Sequence, residues 1–498
     1  MISESPYKKH YEYEIDEIEE KRKIDSFIKT HRKTVVIQGL GFVGAAMMAV
    51  VSNAKDSIGD VLYNVIGIDL PDAKNYWKIG MVNEFQPPIN SADPSLRRYY
   101  KNAKITSNLM ATYSEYVYEV ADIVIVDIHL DITKNSLGDI DNVDFTYESF
   151  LESMRAIAKK VREETLILIE TTVPPGTTEK IVQPLFKQVF KERRLNTDRL
   201  YIAHSYERVT PGANYVASIN NFYRVYSGIN DLSKIKAREF LETIINTKDY
   251  PLCELKSTNA SEMAKVLENS YRALNIAFIQ EWTEFAELSG VDLFEVISAI
   301  RKRPTHNNIM LPGFGVGGYC LTKDALLADW ALKHNFNGDK KLFYSTKAIQ
   351  TNDLMPTHTF QLIKKEIVSL PDVDLVIMGV SYLSDVGDSR FSPSELFYEL
   401  CVAEKVKVHL HDPMLSYWKE KQLEIHQDLS LFSKMNVKIA VFTVNHKEYS
   451  RLSPDEINLI FPRLELLVDA SNVISDDIAS KLRRGGIKTI GVGKGHWK

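Results

Sequence analysis

Short, uninterrupted apolar runs alternate along this chain with longer amphipathic stretches. Runs at 34–38, 64–68, 122–126 and 165–169 are rich in Val and Ile and bounded by turn residues. Such runs predict strands buried on both faces, and the helical stretches between them predict a doubly wound parallel sheet. A second series, at 375–378, 406–410, 437–442 and 466–468, predicts a second α/β unit from about residue 365 to the end. Between the two series the period changes. Ala260, Met263, Ala264, Leu267, Tyr271, Leu274, Ala277 and Phe278 recur at helical spacing within 255–301, with few breakers. They predict one long helix, or two nearly continuous ones, suited to a spine between domains or to a dimer core. The expected fold class is α/β, with two doubly wound domains joined by a long central helix.

Ahead of the first strand, residues 1–33 carry 16 charged residues, eight of each sign. Ile15, Ile18, Ile24, Phe27 and Ile28 fall roughly on one helical stripe. This pattern predicts a charged helical extension over 1–32 that lies on its own domain, with a subunit contact as the alternative.

Composition narrows the class. The 498 residues carry 61 Lys and Arg against 66 Asp and Glu, a net charge of −5. That balance argues against nucleic acid or an anionic membrane as the main partner. Three cysteines cannot build a disulfide framework and point to a reducing compartment. No apolar leader and no apolar window of membrane-spanning length is evident, so a cytoplasmic protein is expected.

The first strand runs directly into Gly39-Leu40-Gly41-Phe42-Val43-Gly44 and then into a helix, and the next strand ends in Asp69, 25 residues after Gly44. A G-x-G-x-x-G between strand and helix, followed by an acidic residue, is the dinucleotide fingerprint. Gly39 permits the tight turn, Gly41 lets backbone approach the pyrophosphate, and Gly44 allows close helix–strand packing. Asp69 can accept from ribose hydroxyls and would repel a 2′-phosphate, so NAD is expected over NADP.

The densest chemistry lies at Pro312-Gly313-Phe314-Gly315-Val316-Gly317-Gly318-Tyr319-Cys320-Leu321-Thr322-Lys323-Asp324. Four glycines in six residues give a backbone that ligands can approach. They lead to one cysteine, with a carboxylate four residues on. If Cys320 opens a helix, the helix dipole favours its thiolate, with Asp324 one turn later on the same face. Cys253 and Cys401 have no such context and are expected to be buried and inert.

At these residues the chain resembles the nucleotide-sugar 6-dehydrogenase family, which includes UDP-glucose, UDP-N-acetylglucosamine and UDP-N-acetylmannosamine dehydrogenases. The resemblance runs in order from about residue 33 to 498. Gly313–Cys320 and Asp324 match the family's catalytic-cysteine stretch. Glu262, Met263, Lys265 and Asn269 match its central-helix signature. Thr171-Thr172-Val173-Pro174-Pro175-Gly176-Thr177-Thr178 matches its strand-end motif, and Ser205-Tyr206-Glu207-Arg208, then Pro211-Gly212, resembles its Ser-Pro-Glu-Arg segment. Gly379, Asp388–Pro393, Asp412-Pro413 and His446 resemble its nucleotide-binding domain. The departures are Leu130 and Asp131 for a Thr-Pro pair, Tyr206 for proline, Tyr382-Leu383 for Phe-Lys, and Ser471 for an arginine. A substrate arginine expected before the glycine loop has no clean counterpart among Arg301, Arg303 and His306.

The resemblance implies two Rossmann-like domains. An NAD-binding domain would span 33–250, a central helical and dimerisation region with the cysteine loop 251–364, and a UDP-sugar-binding α/β domain 365–498. It implies NAD contacts at Gly39, Gly41, Phe42, Val43, Gly44, Asp69 and Thr172. It implies substrate contacts at Arg208, Phe314, Gly315, Gly317 and Arg390, no metal, a UDP-sugar substrate and a homodimer or higher homo-oligomer.

Taking a primary alcohol to a carboxylate removes four electrons in two hydride transfers, and the intermediate aldehyde must be held between them. A thiolate does this as a thiohemiacetal and then a thioester, which water hydrolyses. Lys265 and Asn269, one turn apart on a helix, supply charge and a donor to the oxyanions. Asp324 orders a water for proton transfer, and Glu207 resembles the family's water-activating glutamate. The expected activity is NAD-dependent oxidation of the C6 hydroxyl of a UDP-sugar to a UDP-hexuronic acid for surface polysaccharide. The strand-end motifs lean toward a UDP-N-acetylhexosamine and the Cys320–Asp324 segment toward UDP-glucose. The rivals are a two-electron hydroxyacid-type dehydrogenase, against which Cys320 argues, and a nucleotide-sugar-binding paralogue of low activity, which Leu383 and the missing arginines favour.

Overall fold

The computed structural model describes residues 1–128, 130–209 and 212–497. It resolves into two compact units. The first comprises Met1–Asp131, Phe145–Val266 and Trp330–Lys340, and the second Ile132–Asp144, Leu267–Asp329 and Lys341–Lys498.

The first unit begins with an antiparallel pair, β1 (Ile2–Glu4) and β2 (His10–Glu12), and then helix α1 (Glu17–Phe27). Its main sheet has eight strands: β3 (Lys33–Gln38), β4 (Tyr63–Ile68), β5 (Leu109–Thr112), β6 (Ile123–Val126), β7 (Leu166–Ile169), β8 (Tyr201–His204), β9 (Val225–Gly228) and β10 (Cys253–Glu254). Their spatial order is β10-β9-β8-β7-β6-β3-β4-β5. Every pair is parallel except β8 with β9. The predicted parallel sheet is thus present, with one antiparallel step. The strand order reverses between β3 and β6, which opens a crevice at their carboxyl ends. Helix α2 (Phe42–Ser52) buries every residue from Gly44 to Ser52. Gly67 on β4 makes room for it, because a Cβ there would strike Leu40 and Met48.

The extension is not purely helical. Of the expected stripe only Ile24 is fully buried, while Ile15 and Ile18 face solvent. Polar and aromatic contacts fasten it instead: Tyr13 stacks on Tyr76 at 4.1 Å, Ser3 Oγ donates to the Ala73 carbonyl at 2.7 Å, and Thr112 Oγ1 donates to Glu20 at 2.8 Å.

The second unit holds a five-stranded parallel sheet of β11 (Asp374–Met378), β12 (Lys407–His411), β13 (Val437–Phe442), β14 (Leu466–Asp469) and β15 (Lys488–Gly491), ordered β12-β11-β13-β14-β15. Alternate residues of β11 feed the two faces. Leu375 and Ile377 pack with Phe397 and Trp418 on one face, Val376 and Met378 with Phe442 and Tyr449 on the other. The long helix α3 spans Thr258–Ser289, and the chain passes from the first unit to the second within it. It stops at Gly290, whose φ is +73°, and Asp292 caps α4 (Leu293–Ile300) by accepting from the Phe294 N–H. The prediction of two nearly continuous helices therefore matches the structure. The periodic apolar positions do not form its core, however: Met263, Leu267, Tyr271, Leu274 and Phe278 are all exposed.

Candidate active-site segments

The β3–α2 turn has the geometry its glycines require. Gly39 sits at φ +97°, and a Cβ there would lie 2.5 Å from the Asp127 carbonyl oxygen. A Cβ on Gly44 would overlap the Gly39 carbonyl oxygen. Gly41 caps α2 without a side chain, and no acid occupies the first turn. Phe42 and Val43 follow at the mouth of the helix. Its first N–H groups therefore point at a cradle with no side chain of its own to fill it, which suits a diphosphate. Asp69 follows β4 and accepts from the Leu40 N–H at 3.2 Å and from Lys78 Nζ at 2.9 Å. The composition and spacing of the loop gave no sign of Lys78. Phe42 packs against the Tyr215 ring at 4.6 Å, and the Tyr215 hydroxyl donates to the Phe42 carbonyl. Thr172 is half-buried beside Thr171, whose hydroxyl donates to the Val126 carbonyl at 3.1 Å. These features fit NAD.

A buried charged cluster lies at the carboxyl ends of β6, β7 and β8. Lys265 is buried, donates to the Glu207 main-chain carbonyl at 2.9 Å and stands 3.8 Å from Glu207 Oε1. The Glu207 carboxylate also accepts from the Val209 N–H. Tyr206, where the family has proline, is buried between two cations, with Lys265 Nζ 5.4 Å and the Arg208 guanidinium 5.0 Å from its ring. Arg208 donates to the Tyr223 carbonyl at 2.6 Å and to the Tyr206 hydroxyl at 3.1 Å. Pro211 of that motif lies outside the described residues. Three further members escaped the sequence motifs: Asp127 after β6, Glu170 after β7, and Arg224, which pairs with Glu170 and donates from Nε to Ser205 Oγ at 3.0 Å. The only signal for them was an ionisable residue directly abutting an apolar strand. Glu262 of the central-helix signature is buried and accepts from the Gly176 and Thr178 N–H groups at 2.7 and 2.8 Å. Its role is to hold the Thr171–Thr178 turn. Burial pushes its carboxyl up to about 8, against the pull of those donors.

In the second unit the glycines of the cysteine loop serve close packing on the chain itself. A Cβ on Gly315 would lie 2.5 Å from the Pro393 side chain, one on Gly317 2.6 Å from Tyr382, and one on Gly318 2.7 Å from the Tyr382 ring. Phe314 does not stand ready for a ligand: it is buried in the core against Phe397 at 5.5 Å. An apolar ring with that much aromatic contact gains more from burial than from exposure. Cys320 is exposed. It does not begin a helix. Helix α5 starts at Asp324 and runs to His334, and the Cys320 carbonyl accepts from the Asp324 N–H at 3.0 Å. Asp324 is buried and accepts from Asn269 Nδ2 at 2.6 Å, with Lys323 Nζ 3.4 Å from its other oxygen. Tyr382 is the neighbour that the motif did not announce. Burial pushes its phenol up to about 12, with Asp388 and Cys320 reinforcing and Arg390 opposing.

Models of one family's three domains match this chain in order: the NAD binding domain over residues 33–245, the central domain over 259–353 and the UDP binding domain over 376–476. The chain belongs to the UDP-glucose/GDP-mannose dehydrogenase family. It is an NAD-dependent oxidoreductase. It is 28% identical over 479 residues to a UDP-N-acetyl-D-mannosamine dehydrogenase of Methanococcus vannielii, covering 95% of this chain and 100% of that one. It is 25% identical to a protein of the same name from Campylobacter jejuni, covering 85% and 98%. Two solved structures share the fold. An NDP-N-acetyl-D-galactosaminuronic acid dehydrogenase from Methanosarcina mazei has a TM-score of 0.77 at 22% identity, covering 97% of this chain and 99% of that one. A UDP-D-ManNAc dehydrogenase from Pyrococcus horikoshii has 0.78 at 23%, covering 93% and 100%. Among the described residues no helix is long and apolar enough to cross a membrane.

The family's signature residues in the UDP-binding domain turn out to build the fold around the first turn of the sheet. Asp412 is fully buried and accepts from the Val380 and Ser381 N–H groups and the Ser381 hydroxyl, at 2.7–2.8 Å. Burial opposes its ionisation, but His446 and Ser381 overcome that and hold the carboxyl down at about 2. Arg390 is occupied within the chain. It forms a two-pronged pair with Asp388, with Nη2 2.7 Å from Oδ2. Local pairing two residues apart costs less chain entropy than reaching for a ligand. Leu383 is partly exposed, and Ser471 Oγ donates to the Thr443 carbonyl at 2.6 Å. Cys401 is buried, and burial pushes its thiol up to about 12. Cys253, expected to be buried, is exposed on the edge strand β10.

Proposed function

We propose that the enzyme oxidises the C6 hydroxyl of a UDP-sugar to a UDP-hexuronic acid by four electrons, with a UDP-N-acetylhexosamine as substrate and surface polysaccharide as the destination of the product. The observation that carries this reading is the cysteine loop. An exposed thiol ends a glycine run, and the carboxylate four residues on is buried and held by Asn269 of the central helix. A two-electron dehydrogenase has no use for a nucleophile so placed. The relatives named UDP-N-acetyl-D-mannosamine dehydrogenase support the sugar class.

NAD would be held by Gly39, Gly41, Phe42, Val43, Gly44, Asp69 and Thr172 and would supply a hydride acceptor, and two such acceptors would account for the four electrons. A first hydride loss would turn the C6 alcohol into an aldehyde, its hydroxyl proton passing to the water ordered by Asp324; the Cys320 thiolate would then add to that aldehyde, forming a C–S bond, and the adduct would become a thioester on loss of the second hydride. Lys265 and Asn269 stabilise the oxyanions by charge and hydrogen bonding. Glu207 takes a proton from the water that attacks the thioester, the C–S bond breaks and the sulfur leaves as the thiolate, while Asp324 orders a water for proton transfer. Arg208, Gly315, Gly317 and Arg390 remain the candidates for contact with the sugar nucleotide. Arg390 would have to exchange Asp388 for a phosphate. The segments 33–250, 251–364 and 365–498 would serve cofactor, chemistry and nucleotide respectively, in a cytoplasmic homodimer.

The test is the yield of NADH per molecule of UDP-sugar consumed, read at saturating NAD. Two supports this mechanism. One identifies a two-electron dehydrogenase, and none identifies a binding paralogue.

A further inference from the structure

The three buried carboxylates behind the phosphate loop are not equivalent. Glu170 is paired with Arg224, and Glu207 lies beside Lys265. Asp127 has neither. Both its oxygens are buried, and neither has a hydrogen-bond partner among the described residues. Buried polar atoms almost always find a partner, so two orphans on one carboxyl mark a place where something else belongs.

Its position says what. Asp127 follows β6 directly, and its N–H donates to the Gln38 carbonyl of β3 at 2.9 Å. Its main chain is what the missing Cβ of Gly39 leaves room for. It therefore sits where the strand order reverses, across from the phosphate loop. Asp69 marks the adenosine half at the end of β4. The opposite half of the crevice, over β6, β7 and β8, is left for the nicotinamide.

We propose that Asp127 distinguishes the oxidised from the reduced cofactor, its buried carboxyl lying at the end of β6 beneath the nicotinamide half and favouring the positively charged ring of NAD+ over the neutral ring of NADH. The inference rests on the NAD-binding reading of this crevice. It gives the enzyme what a two-cofactor turnover needs: the reduced dinucleotide is disfavoured while the aldehyde is held, and a fresh oxidised one is preferred.

The charges around Asp127 make the idea a linkage. Burial, then Glu170 and Glu207, push its carboxyl well above the usual range, and Arg224 opposes them. Tyr215 also faces it, and its phenol is pushed up by burial and stays neutral. Farther out, burial with Arg224 and Lys265 drives His204 down to about 3, so it too is neutral. Burial and the two neighbouring carboxylates thus favour the protonated form of Asp127. A cationic ring lowers that carboxyl's proton affinity, and the proton departs to solvent as NAD+ binds. NADH brings no ring charge and releases none.

Binding of NAD+ and of NADH, measured by titration calorimetry on the whole protein in two buffers of different ionisation enthalpy, tests this from pH 6 to 9. Proton release with NAD+ and none with NADH is expected. Asp127→Asn should abolish the release and weaken NAD+ about tenfold while leaving NADH within about twofold. Equal proton release with both cofactors overturns the proposal, as does an Asp127→Asn variant that loses both equally or neither. The wild-type comparison decides even if the variant fails to fold. A wild type that binds neither cofactor would instead refute the NAD reading.

Discussion

Asp324 and Cys320 are four residues apart in sequence and opposite in exposure, a contrast that fits the roles proposed for them. The thiol meets solvent, whereas the carboxylate is buried and orientated by Asn269 at 2.6 Å. In the proposed mechanism the attacking group has to be reachable and the group that orders water for proton transfer has to be fixed. Cys320→Ser is expected to abolish net acid formation while sugar-nucleotide binding persists, because a serine alkoxide is scarcely populated near neutral pH and its ester turns over slowly. NADH production together with equilibrium binding of the UDP-sugar checks it, and near-normal turnover would exclude covalent catalysis. At this scale the sequence exposed the residues but not their partners. Gly39, Gly44 and Cys320 were legible because a glycine turn and a glycine-run cysteine are rare in any other context. The burial of Phe314 against Phe397 and the pairing of Arg390 with Asp388 were not legible, because both depend on folded neighbours. Asp127 stayed invisible because an aspartate ending a strand is ordinary until its oxygens are found without partners.

Helix α3 carries a long exposed apolar stripe. Leu267, Tyr271, Leu274, Phe278, Trp282, Phe285 and Leu288 recur every three or four residues and are between 38% and 77% exposed. The spacing announced the helix, and the stripe is exposed on the single chain. Periodicity reports that one face is apolar, and it does not report what covers that face. A continuous exposed stripe on one helix is the pattern of a helix–helix seam between subunits. Phe278→Glu with Trp282→Glu should therefore shift the protein from dimer to monomer at micromolar concentration, read by light scattering on a sizing column. A wild type that is already monomeric would remove the dimer from the proposed function. The hairpin of β1 and β2 went unread for a related reason: each strand is three residues long with one buried position, too short for an alternation to register.

Across the whole molecule, each unit depends on a buried carboxylate perturbed in the opposite sense. In the first, Glu262 ties down the Thr171–Thr178 turn with a carboxyl raised to about 8. In the second, Asp412 ties down the turn after β11 with a carboxyl lowered to about 2. A raised acid stabilises the fold most when protonated, so the Glu262 contribution is complete below its ordinary value of 4.5 and is lost as pH climbs through 8. A depressed acid does the reverse. The Asp412 contribution is complete above its ordinary 3.8 and is lost as pH falls through 2. For Asp412 the difference amounts to about 2–3 kcal/mol at neutral pH. Calorimetric unfolding should then weaken at both ends of the pH range for different reasons. Asp412→Asn should destabilise strongly at pH 7 and progressively less toward pH 2, where the wild type has itself lost the charge. Glu262→Gln should cost least at pH 9, where the wild type bears the full penalty of a buried anion. If either variant's deficit is independent of pH, that carboxyl does not change its proton affinity on folding, and its hydrogen bonds alone account for its place in the unit.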